Sequence, residues 1–451
     1  MSQGVPEHSH LWPLGFHFVS IIPNTFDEEA RKRHVEWDVG LISGPDGQDW
    51  RVPVSELSNR QERLSKALAE NGIKSAMIDD PVELYWLTGG RQNGIFLIGA
   101  DGSGIENTHW VRRSLDRAKY ESGGSASPHQ ISKQPRMSEL EDSLRRCGNT
   151  EKPAMLLGKV PVERWSFINN KISLMEGEIN DCTQILYSLR EEKSKWEIEM
   201  LKESGDINKR MFQAVEDYGG LGRTELEIAS VADSISRDLG FGGRIRMRKW
   251  PMDCDRVVIA SGPSGSVPSY FDSAVGGLGA SPISSLGAGF RKVRENEPVL
   301  VDIVHLHRGY VSDCTRIFSA GKISELWHSR LEDMVEVRKA VVTSLGKGDN
   351  CSKAWEIGYS LASEMGHSEN LMGMGKDQSS FLGHSVGLEL DETPVVARGF
   401  DRPLPKGGTM AVEPKVIHPE GSIGNEDTWF RSSEGMECLT AGDSFPVYTE
   451  W

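Results

Sequence analysis

An apolar stretch that carries two acidic residues, at 299–316, constrains the fold of this chain more than any other part of the sequence. It predicts a β-hairpin whose turn centres on His307 and Arg308, so that Asp302 would lie opposite Asp313. Directly opposed residues of an antiparallel pair hold their Cβ atoms roughly 4.5–5.5 Å apart, and two carboxylates that close repel each other unless a cation lies between them. The pattern therefore indicates a metal site or a carboxyl group of raised pKa. Two polar residues on a solvated hairpin face are the alternative.

Three further polar residues follow, each next to a strand-like segment. His384 stands among glycines, Gly383 and Gly387, where the backbone can approach another group closely. Glu413 ends an apolar run, and Glu426 begins a strand-like segment. Together with the two aspartates, these residues form an oxygen-rich set with one imidazole, which suits paired Mn, Co, Fe or Zn ions. Such a pair can polarise a carbonyl group and activate water.

In order and spacing, these residues resemble the ligand set of the M24 metallopeptidases, a family that includes Xaa-Pro aminopeptidases, prolidases and methionine aminopeptidases. The resemblance rests on four short motifs: Asp302 with Asp313-Cys-Thr-Arg, Gly383-His384 with Gly387 and Pro394, Val412-Glu413-Pro, and Glu426-Asp-Thr. Residues from about 56 to 179 are similar to the creatinase-type N-terminal domain, through the segments 79–81, 84–89 and 112–114.

The resemblance implies an α+β fold, with a pita-bread catalytic domain preceded by a smaller α/β domain. We expect an N-terminal extension over residues 1–54, a creatinase-like domain over 55–184 and the catalytic domain over 185–451. A charged helix from about 190 to 218 would bridge the two domains. The creatinase-like architecture also implies a homodimer.

The same resemblance implies a role for each of the five residues. Asp302 and Glu426 would hold one ion or bridge two, and Asp313 would bridge or chelate. His384 and Glu413 would complete the second ion. Glu413 would also act as general base toward the metal-bound water, which a ligated carboxylate beside that water can reach. The expected cofactor is therefore two divalent ions of Mn, Co, Fe or Zn.

Three positions depart from the pattern of the Xaa-Pro peptidases. A family histidine is replaced by Ser269, or by Ser285 if the usual interval to the first aspartate is counted, and Asp391 replaces a second histidine. Gly424 replaces an arginine. In the peptidases these positions stabilise the tetrahedral intermediate and the substrate carboxylate, so the sequence leaves prolyl specificity open. Asp391 is a candidate catalytic acid or base, and an aspartate that forms a turn or cap in a loop is the alternative.

A strand is predicted at 244–247, and Arg244, Arg246 and Arg248 alternate along it and just beyond its end. One face of that strand would therefore be basic. It could bind a substrate carboxylate or simply face solvent.

Composition excludes several classes of partner. Lys and Arg total 51 and Asp and Glu total 66, so the formal net charge is −15, which repels phosphate backbones and anionic membranes. No apolar run approaches the ~20 residues of a membrane-spanning helix. Six cysteines without C-x-x-C spacing indicate reduced thiols, and the first 25 residues lack the basic start and cleavage site of a signal peptide. We expect a cytoplasmic protein that binds neither nucleic acid nor membrane.

The leading hypothesis is a dinuclear metal-dependent hydrolase resembling Xaa-Pro aminopeptidase or prolidase. It would cleave an amide bond of a small molecule or short peptide by a metal-bridged hydroxide. The runner-up is a non-peptidase hydrolase or lyase on the same scaffold that acts on a small zwitterion, as creatinase, ectoine hydrolase and dimethylsulfoniopropionate lyase do. The third hypothesis is an inactive binding protein, which the intact set of ligand residues disfavours.

Overall fold

The computed structural model describes residue 44 and residues 47–241, 243–249 and 252–451. Most of the extension expected at 1–54 therefore lies outside the described residues. The domain limits expected near residues 55 and 185 stay predictions. In the described parts of the chain, no helix is both long enough and apolar enough to cross a membrane.

A four-stranded sheet with flanking helices forms the first part of the described chain. Its elements are α1 Val54–Glu70, β1 Ser75–Ile78, α2 Pro81–Thr88, β2 Gly94–Gly99, β3 Thr108–Val111, α3 Leu115–Glu121, β4 Gln130–Lys133, α4 Leu140–Arg146, α5 Val162–Lys171 and α6 Thr183–Glu191. The strand order is β1-β2-β3-β4, with the first two pairs antiparallel and β3–β4 parallel. Helix α1 is amphipathic and buries Leu64 and Leu68 in the same cluster as Ile78 and Phe96 of the sheet.

A four-stranded sheet, a five-stranded sheet and a two-stranded ribbon form the second part. Its elements are α7 Lys195–Tyr218, α8 Glu225–Asp238, β5 Val257–Ser261, β6 Val299–His307, β7 Tyr310–Ser319, α9 Glu325–Lys347, α10 Cys351–Glu364, β8 Phe381–Ser385, β9 Glu392–Ala397, β10 Thr409–Val412, β11 Lys415–His418, β12 Gly421–Gly424, β13 Asp427–Arg431, β14 Met436–Cys438 and β15 Tyr448–Glu450. One sheet has the order β15-β7-β6-β5 and the other β14-β13-β10-β8-β9, while β11 and β12 form the ribbon. Helices α7 and α8 pack on the sheet that contains β5, β6 and β7. Helices α9 and α10 pack on the five-stranded sheet. Strands β6 and β7 are consequently buried along their whole length.

The predicted hairpin forms, but its register differs from the expectation. The central turn residues are Arg308 and Gly309, both at positive φ (49° and 98°), as a two-residue type I′ turn requires. Because the turn lies one residue later than expected, Asp302 pairs with Thr315 and not with Asp313. The shift amounts to two residues, so both aspartates keep the same face of the sheet and lie diagonally. The expectation of directly opposed aspartates is therefore wrong, whereas their common face is confirmed.

The helix predicted at 190–218 is two helices in the structure. Helix α6 ends at Glu191, and a capping box starts α7. The Ser194 side chain accepts from the N–H of Glu197 at 3.2 Å, and the Glu197 carboxylate accepts from the N–H of Ser194 at 2.8 Å. Since a capping box satisfies N–H groups that a continuous helix would bond internally, it fixes the start of a new helix.

A buried ion-pair network joins the two parts of the chain. Arg190 on α6 contacts Glu83 on α2 at 2.5 Å, Glu389 at 2.9 Å and also Glu392. Lys193 lies 3.0 Å from Glu392. Burial alone would raise the pKa of Glu389, but Arg190 and the neighbouring cations lower it to about 2. The pKa of Glu392 is lowered in the same way, so Glu389 and Glu392 stay ionised inside the protein.

Replacing Arg190 by Met would leave three buried carboxylates without their shared cation. We expect Arg190→Met to lower the free energy of unfolding by about 3–5 kcal/mol, because breaking a buried ion pair leaves uncompensated charge. Chemical denaturation followed by circular dichroism measures the change. Arg145→Met is the matched control, since it removes an exposed arginine 2.9 Å from Glu141 and should cost less than about 1 kcal/mol. Equal losses in the two variants would contradict the prediction.

Two histidines are buried at the sheet formed by β1, β2, β3 and β4. The ring centroids of His109 and His129 lie 6.2 Å apart, and the ring of Phe96 meets both at steep angles. The side-chain amide nitrogen of Gln61 lies 2.9 Å from Nδ1 of His129. Burial lowers the pKa of His109 to about 4 and that of His129 to about 3. Both rings are therefore neutral at pH 7.

This histidine pair predicts acid sensitivity of the fold. The unfolded chain binds protons near pH 6.5 and the folded chain only near pH 3–4, so the stability is complete above pH 6.5 and is lost as the pH falls toward the folded pKa values. We expect a loss of roughly 2–4 kcal/mol in the free energy of unfolding over that interval.

Denaturation at a series of pH values tests this expectation. His129→Asn, which keeps a polar partner for Gln61, should reduce the acid-dependent loss. His328→Asn, at a half-exposed position on α9, should follow the wild type. A His129→Asn profile with the wild-type slope would refute the assignment to this pair.

Candidate metal centre

The five predicted ligand residues come from five segments, and the fold brings them together. Asp302 is on β6, Asp313 on β7 and His384 on β8. Glu413 directly follows β10, and Glu426 directly precedes β13. Strand β10 lies between β8 and β13, and β7 reaches this second sheet through a bridge to Glu426. The two sheets therefore meet at these side chains.

The distances between these side chains fit a bound cation. Ligand atoms of Asp313, His384 and Glu426 all lie within 4.8 Å of one another. Nε2 of His384 is 3.3 Å from a carboxylate oxygen of Glu413 and 3.8 Å from one of Asp313. One oxygen each of Asp302, Asp313 and Glu426 is buried with no hydrogen-bond partner among the described residues. Buried carboxylate oxygens of this kind require a cation or a donor, so the set is suited to a divalent ion.

A lysine that the sequence prediction did not include lies among the carboxylates. Nζ of Lys415 is 2.6 Å from Glu413, 2.8 Å from Glu426 and 3.9 Å from Asp302. Its side chain is fully buried. Lys415 stands two residues after Glu413, and side chains two apart in an extended segment share one face. That spacing is the signal that could have identified it.

The close charges shift the pKa values of the site. Burial raises the pKa of Asp313 well above its usual range, and the charge of Glu426 adds to this. Burial likewise raises the pKa of Glu426 to about 8. Burial would also raise the pKa of Glu413, but Lys415 and the imidazole lower it to about 2. For His384 burial favours the neutral form, yet Glu413 raises its pKa to about 9. The carboxylates hold the pKa of Lys415 well above its ordinary value, so it remains an ammonium.

Asp427 supports this centre from behind. Its Oδ1 accepts from Arg316 at 2.9 Å, from the hydroxyl of Thr440 at 2.7 Å and from the N–H of Gly442 at 2.9 Å. Its Oδ2 contacts Arg338. Because Asp427 directly follows Glu426, these bonds fix the backbone that presents the Glu426 carboxylate.

A cavity of about 310 Å³ opens onto the centre. Its wall includes Asp302, Asp313, His384 and Glu413. The rest is largely apolar, with a few polar groups; the side chains other than the ligands include Met247, Met252, Cys254, Val258, Phe271, Val275, Leu286, Val304, Phe381, Leu390, Asp391, Val395 and Ala397.

Asp391 lies on the wall of this cavity, and main-chain amides bind both of its oxygens. Oδ1 accepts from the N–H of Arg248 at 2.5 Å and Oδ2 from the N–H of Lys249 at 2.8 Å. The N–H of Leu390 donates to the carbonyl of Arg246 at 2.8 Å. Asp391 therefore tethers the segment 246–249 to the cavity wall. Its role as acid or base stays a prediction.

The other two departing positions lie differently. Ser269 donates its hydroxyl to the carbonyl of Phe271 at 2.7 Å, and neither Ser269 nor Ser285 is among the described residues that line the cavity. Gly424 is the cross-strand partner of Lys415 in the ribbon. A Cβ at Gly424 would lie 2.6 Å from Cγ of Lys415 and 2.5 Å from the preceding carbonyl oxygen, so only glycine fits here.

The strand predicted at 244–247 is wrong, because the described residues 243–249 contain no strand. Their backbone bonds to the segment around residues 390–391 and does not join a sheet. Nε of Arg248 lies 3.1 Å from Glu389, and its guanidinium stands 3.7 Å from the ring centroid of Tyr187. Arg248 therefore belongs to the buried ion-pair network.

Known proteins resemble this chain over most of its length. Among curated relatives, a Xaa-Pro dipeptidase of Pyrococcus furiosus is 25% identical over 387 residues, covering 85% of this chain and 98% of the relative. A Xaa-Pro dipeptidase of Pyrococcus horikoshii is 22% identical, covering 85% and 97%.

Solved structures share the fold. The Xaa-Pro dipeptidase from Bacillus anthracis gives a TM-score of 0.72 at 20% identity and covers 87% of this chain and 100% of that protein. The X-Pro aminopeptidase from Thermotoga maritima gives 0.70 at 20% identity, covering 86% and 99%. These likenesses and the matches to the two family domains confirm the predicted fold class, an α+β fold with a pita-bread catalytic domain.

Two parts of the chain match descriptions of known protein families. Residues 60–191 match the creatinase/prolidase N-terminal domain. Residues 199–431, more than half of the chain, match metallopeptidase family M24 and include all five predicted ligand residues. The resemblance inferred from the motifs and the expected class, a metallopeptidase-like hydrolase, are thereby confirmed. The chain belongs to metallopeptidase family M24.

Proposed function

We propose that this chain is a metal-dependent hydrolase that cleaves an amide bond in a small molecule or short peptide, as Xaa-Pro dipeptidases and aminopeptidases do. The observation that carries the proposal is a set of converging ligand residues with partnerless carboxylate oxygens beside a cavity. The relatives matched over nearly their whole length are named Xaa-Pro dipeptidases, which supports this substrate class.

Asp313, His384 and Glu426 are the residues that would hold an ion, with Asp302 and Glu413 beside them. A bound Mn, Co, Fe or Zn ion would polarise the substrate carbonyl and lower the pKa of water. Of these we favour Mn, because carboxylates dominate the ligand set. The lowered pKa keeps Glu413 ionised, so its oxygen facing His384 is the candidate proton acceptor.

The cavity suits a small substrate. Its volume of about 310 Å³ is at the lower end of the range for small-molecule pockets, roughly 300–1,000 Å³. The side chains of Phe271, Phe381 and Leu390 would cover an apolar part of the substrate, such as a proline ring. Asp391 on the same wall is the candidate acid or base.

A non-peptidase hydrolase or lyase is the second candidate, and one observation favours it. His384 is the only histidine among the described residues that line the cavity. By the resemblance to the Xaa-Pro peptidases, Asp391 stands where they carry a second histidine. A carboxylate in that place suits a substrate with a positive charge, such as a betaine-like zwitterion.

We also infer a cytoplasmic homodimer. All six cysteines are free thiols, consistent with a reducing compartment. The dimer is inferred from the creatinase-like architecture. A net charge of −15 argues against nucleic acid and anionic membranes as partners.

An activity screen of the metal-reconstituted protein tests the proposal. Xaa-Pro dipeptides, longer Xaa-Pro peptides, creatine and dimethylsulfoniopropionate are the substrates. We expect peptide cleavage that is lost with chelators. Glu413→Gln should lower kcat by about 10²–10⁴-fold, because it removes the proton acceptor. Glu420→Gln, at an exposed position of the same region, is the control.

The outcomes separate the candidates. Turnover of only the small zwitterions would establish the non-peptidase alternative. No turnover of any substrate by fully loaded protein would favour an inactive binding protein. Cleavage that is unaffected by chelators would overturn the proposed metal chemistry.

Asp427 gives a separate prediction about metal affinity. Asp427→Asn should weaken metal binding about 10–100-fold, because residues that orient a ligand affect affinity by that amount. Competition with a chromogenic chelator measures the change. Asp443→Asn, at an exposed position, should bind metal as the wild type does. Unchanged affinity in Asp427→Asn would show that its hydrogen bonds do not orient Glu426.

A further inference from the structure

The position of the Lys415 ammonium bears on how many ions the centre holds. Its Nζ is 2.6 Å from Glu413 and 2.8 Å from Glu426, with Asp302 at 3.9 Å. These three carboxylates surround one point on one side of the centre. We propose that the Lys415 ammonium takes the place of a second metal ion, so that the chain binds one divalent ion. The inference rests on the metal chemistry of the proposed function and specifies its stoichiometry.

The distribution of occupied and free oxygens supports one ion. Both oxygens of Glu413 have partners, one in Lys415 and the other in His384. The Glu426 oxygen that Lys415 contacts also accepts from the hydroxyl of Thr315 at 2.8 Å. The partnerless oxygens are the remaining ones of Asp302, Asp313 and Glu426. Two of these residues, Asp313 and Glu426, also have ligand atoms within 4.8 Å of one of His384, which gives one cation position among the described residues.

A second ion would have to displace the lysine. Metal–oxygen bonds at carboxylates are about 2.0–2.2 Å long, so an ion bound by the two oxygens that Lys415 contacts on Glu413 and Glu426 would lie where Nζ now lies. Two cations cannot share that position, because they repel and exclude each other.

The lysine is held in this place by its surroundings. Its side chain is fully buried. Its stem lies against Gly424 of the neighbouring strand, and its carbonyl accepts from the N–H of Met372 at 2.8 Å. Lys415 cannot turn toward solvent without opening the ribbon of β11 and β12.

The substitution changes what the centre can do. An ammonium neutralises carboxylates and donates hydrogen bonds, but it has no coordination position for a substrate oxygen or water. Two of its three N–H groups meet Glu413 and Glu426. The expectation of two ions bridged by hydroxide is therefore replaced by one ion beside a fixed positive charge.

Metal counting on the full-length protein tests the inference. Chelator-stripped protein is equilibrated with MnCl₂, freed of weakly bound ions by gel filtration, and measured by mass spectrometry for metal and by electron paramagnetic resonance. We expect one Mn²⁺ per chain and the spectrum of isolated ions. Two Mn²⁺ with a spin-coupled spectrum would overturn the inference and leave the proposed function intact. Protein that retains no Mn²⁺ would contradict both.

Removing the ammonium should restore a second position. Lys415→Gly should bind two Mn²⁺ per chain and give a spin-coupled spectrum, and Lys415→Ala serves if the glycine variant does not fold. Lys406→Gly removes an exposed lysine from the loop before β10 and should still bind one ion. One ion per chain in both Lys415 variants would contradict the blocking role of the lysine. If neither variant folds, the number of Mn²⁺ ions bound by the wild type tests the inference.

Discussion

Four carboxylates held within a few ångströms of one another, away from water, are the constraint on which the rest of this structure depends. Asp302, Asp313, Glu413 and Glu426 are each at most 7% exposed. Their mutual repulsion is strong because the protein interior screens charge poorly. Strands β6 and β7, buried on both faces, hold the two aspartates in place, while the second sheet contributes the two glutamates. Positive charge is needed at this point, and Lys415 is a side chain that supplies it.

A second cluster of buried carboxylates is also stabilised by a buried cation. Arg190 contacts three buried glutamates that come from both parts of the chain, and Lys193 and Arg248 add positive charge there. The segment between β8 and β9 connects the two clusters, since His384 precedes it and Glu389 and Glu392 belong to its far end. Asp391 in this segment also fixes residues 248 and 249 beside the cavity. Both clusters therefore lie within a few backbone residues of the cavity wall.

The five candidate ligand residues could be selected from the sequence because each stands next to an apolar strand and their spacing resembles the motifs of family M24. Their binding of metal stays a prediction. The register of the hairpin could not be predicted as well, because it depends on which two residues take positive φ. Arg308-Gly309 is the pair that does, and its glycine is the available signal. Lys415 was missed because a lysine after a ligand glutamate does not resemble a metal ligand. The spacing of two residues from Glu413 is the signal in the sequence, and the placement of Asp302 and Glu426 around Lys415 reveals its role.

The close approach of Gly424 to the backbone and stem at Lys415 limits how this centre can change. A side chain at position 424 would overlap the preceding strand at 2.5–2.7 Å, so the ribbon must open before any other residue is accepted. The arginine that the resemblance to the Xaa-Pro peptidases leads one to expect at this position is therefore not accepted through one substitution. Lys415 and Gly424 therefore restrict each other, and an engineer who wishes to alter the centre must redesign both strands at once.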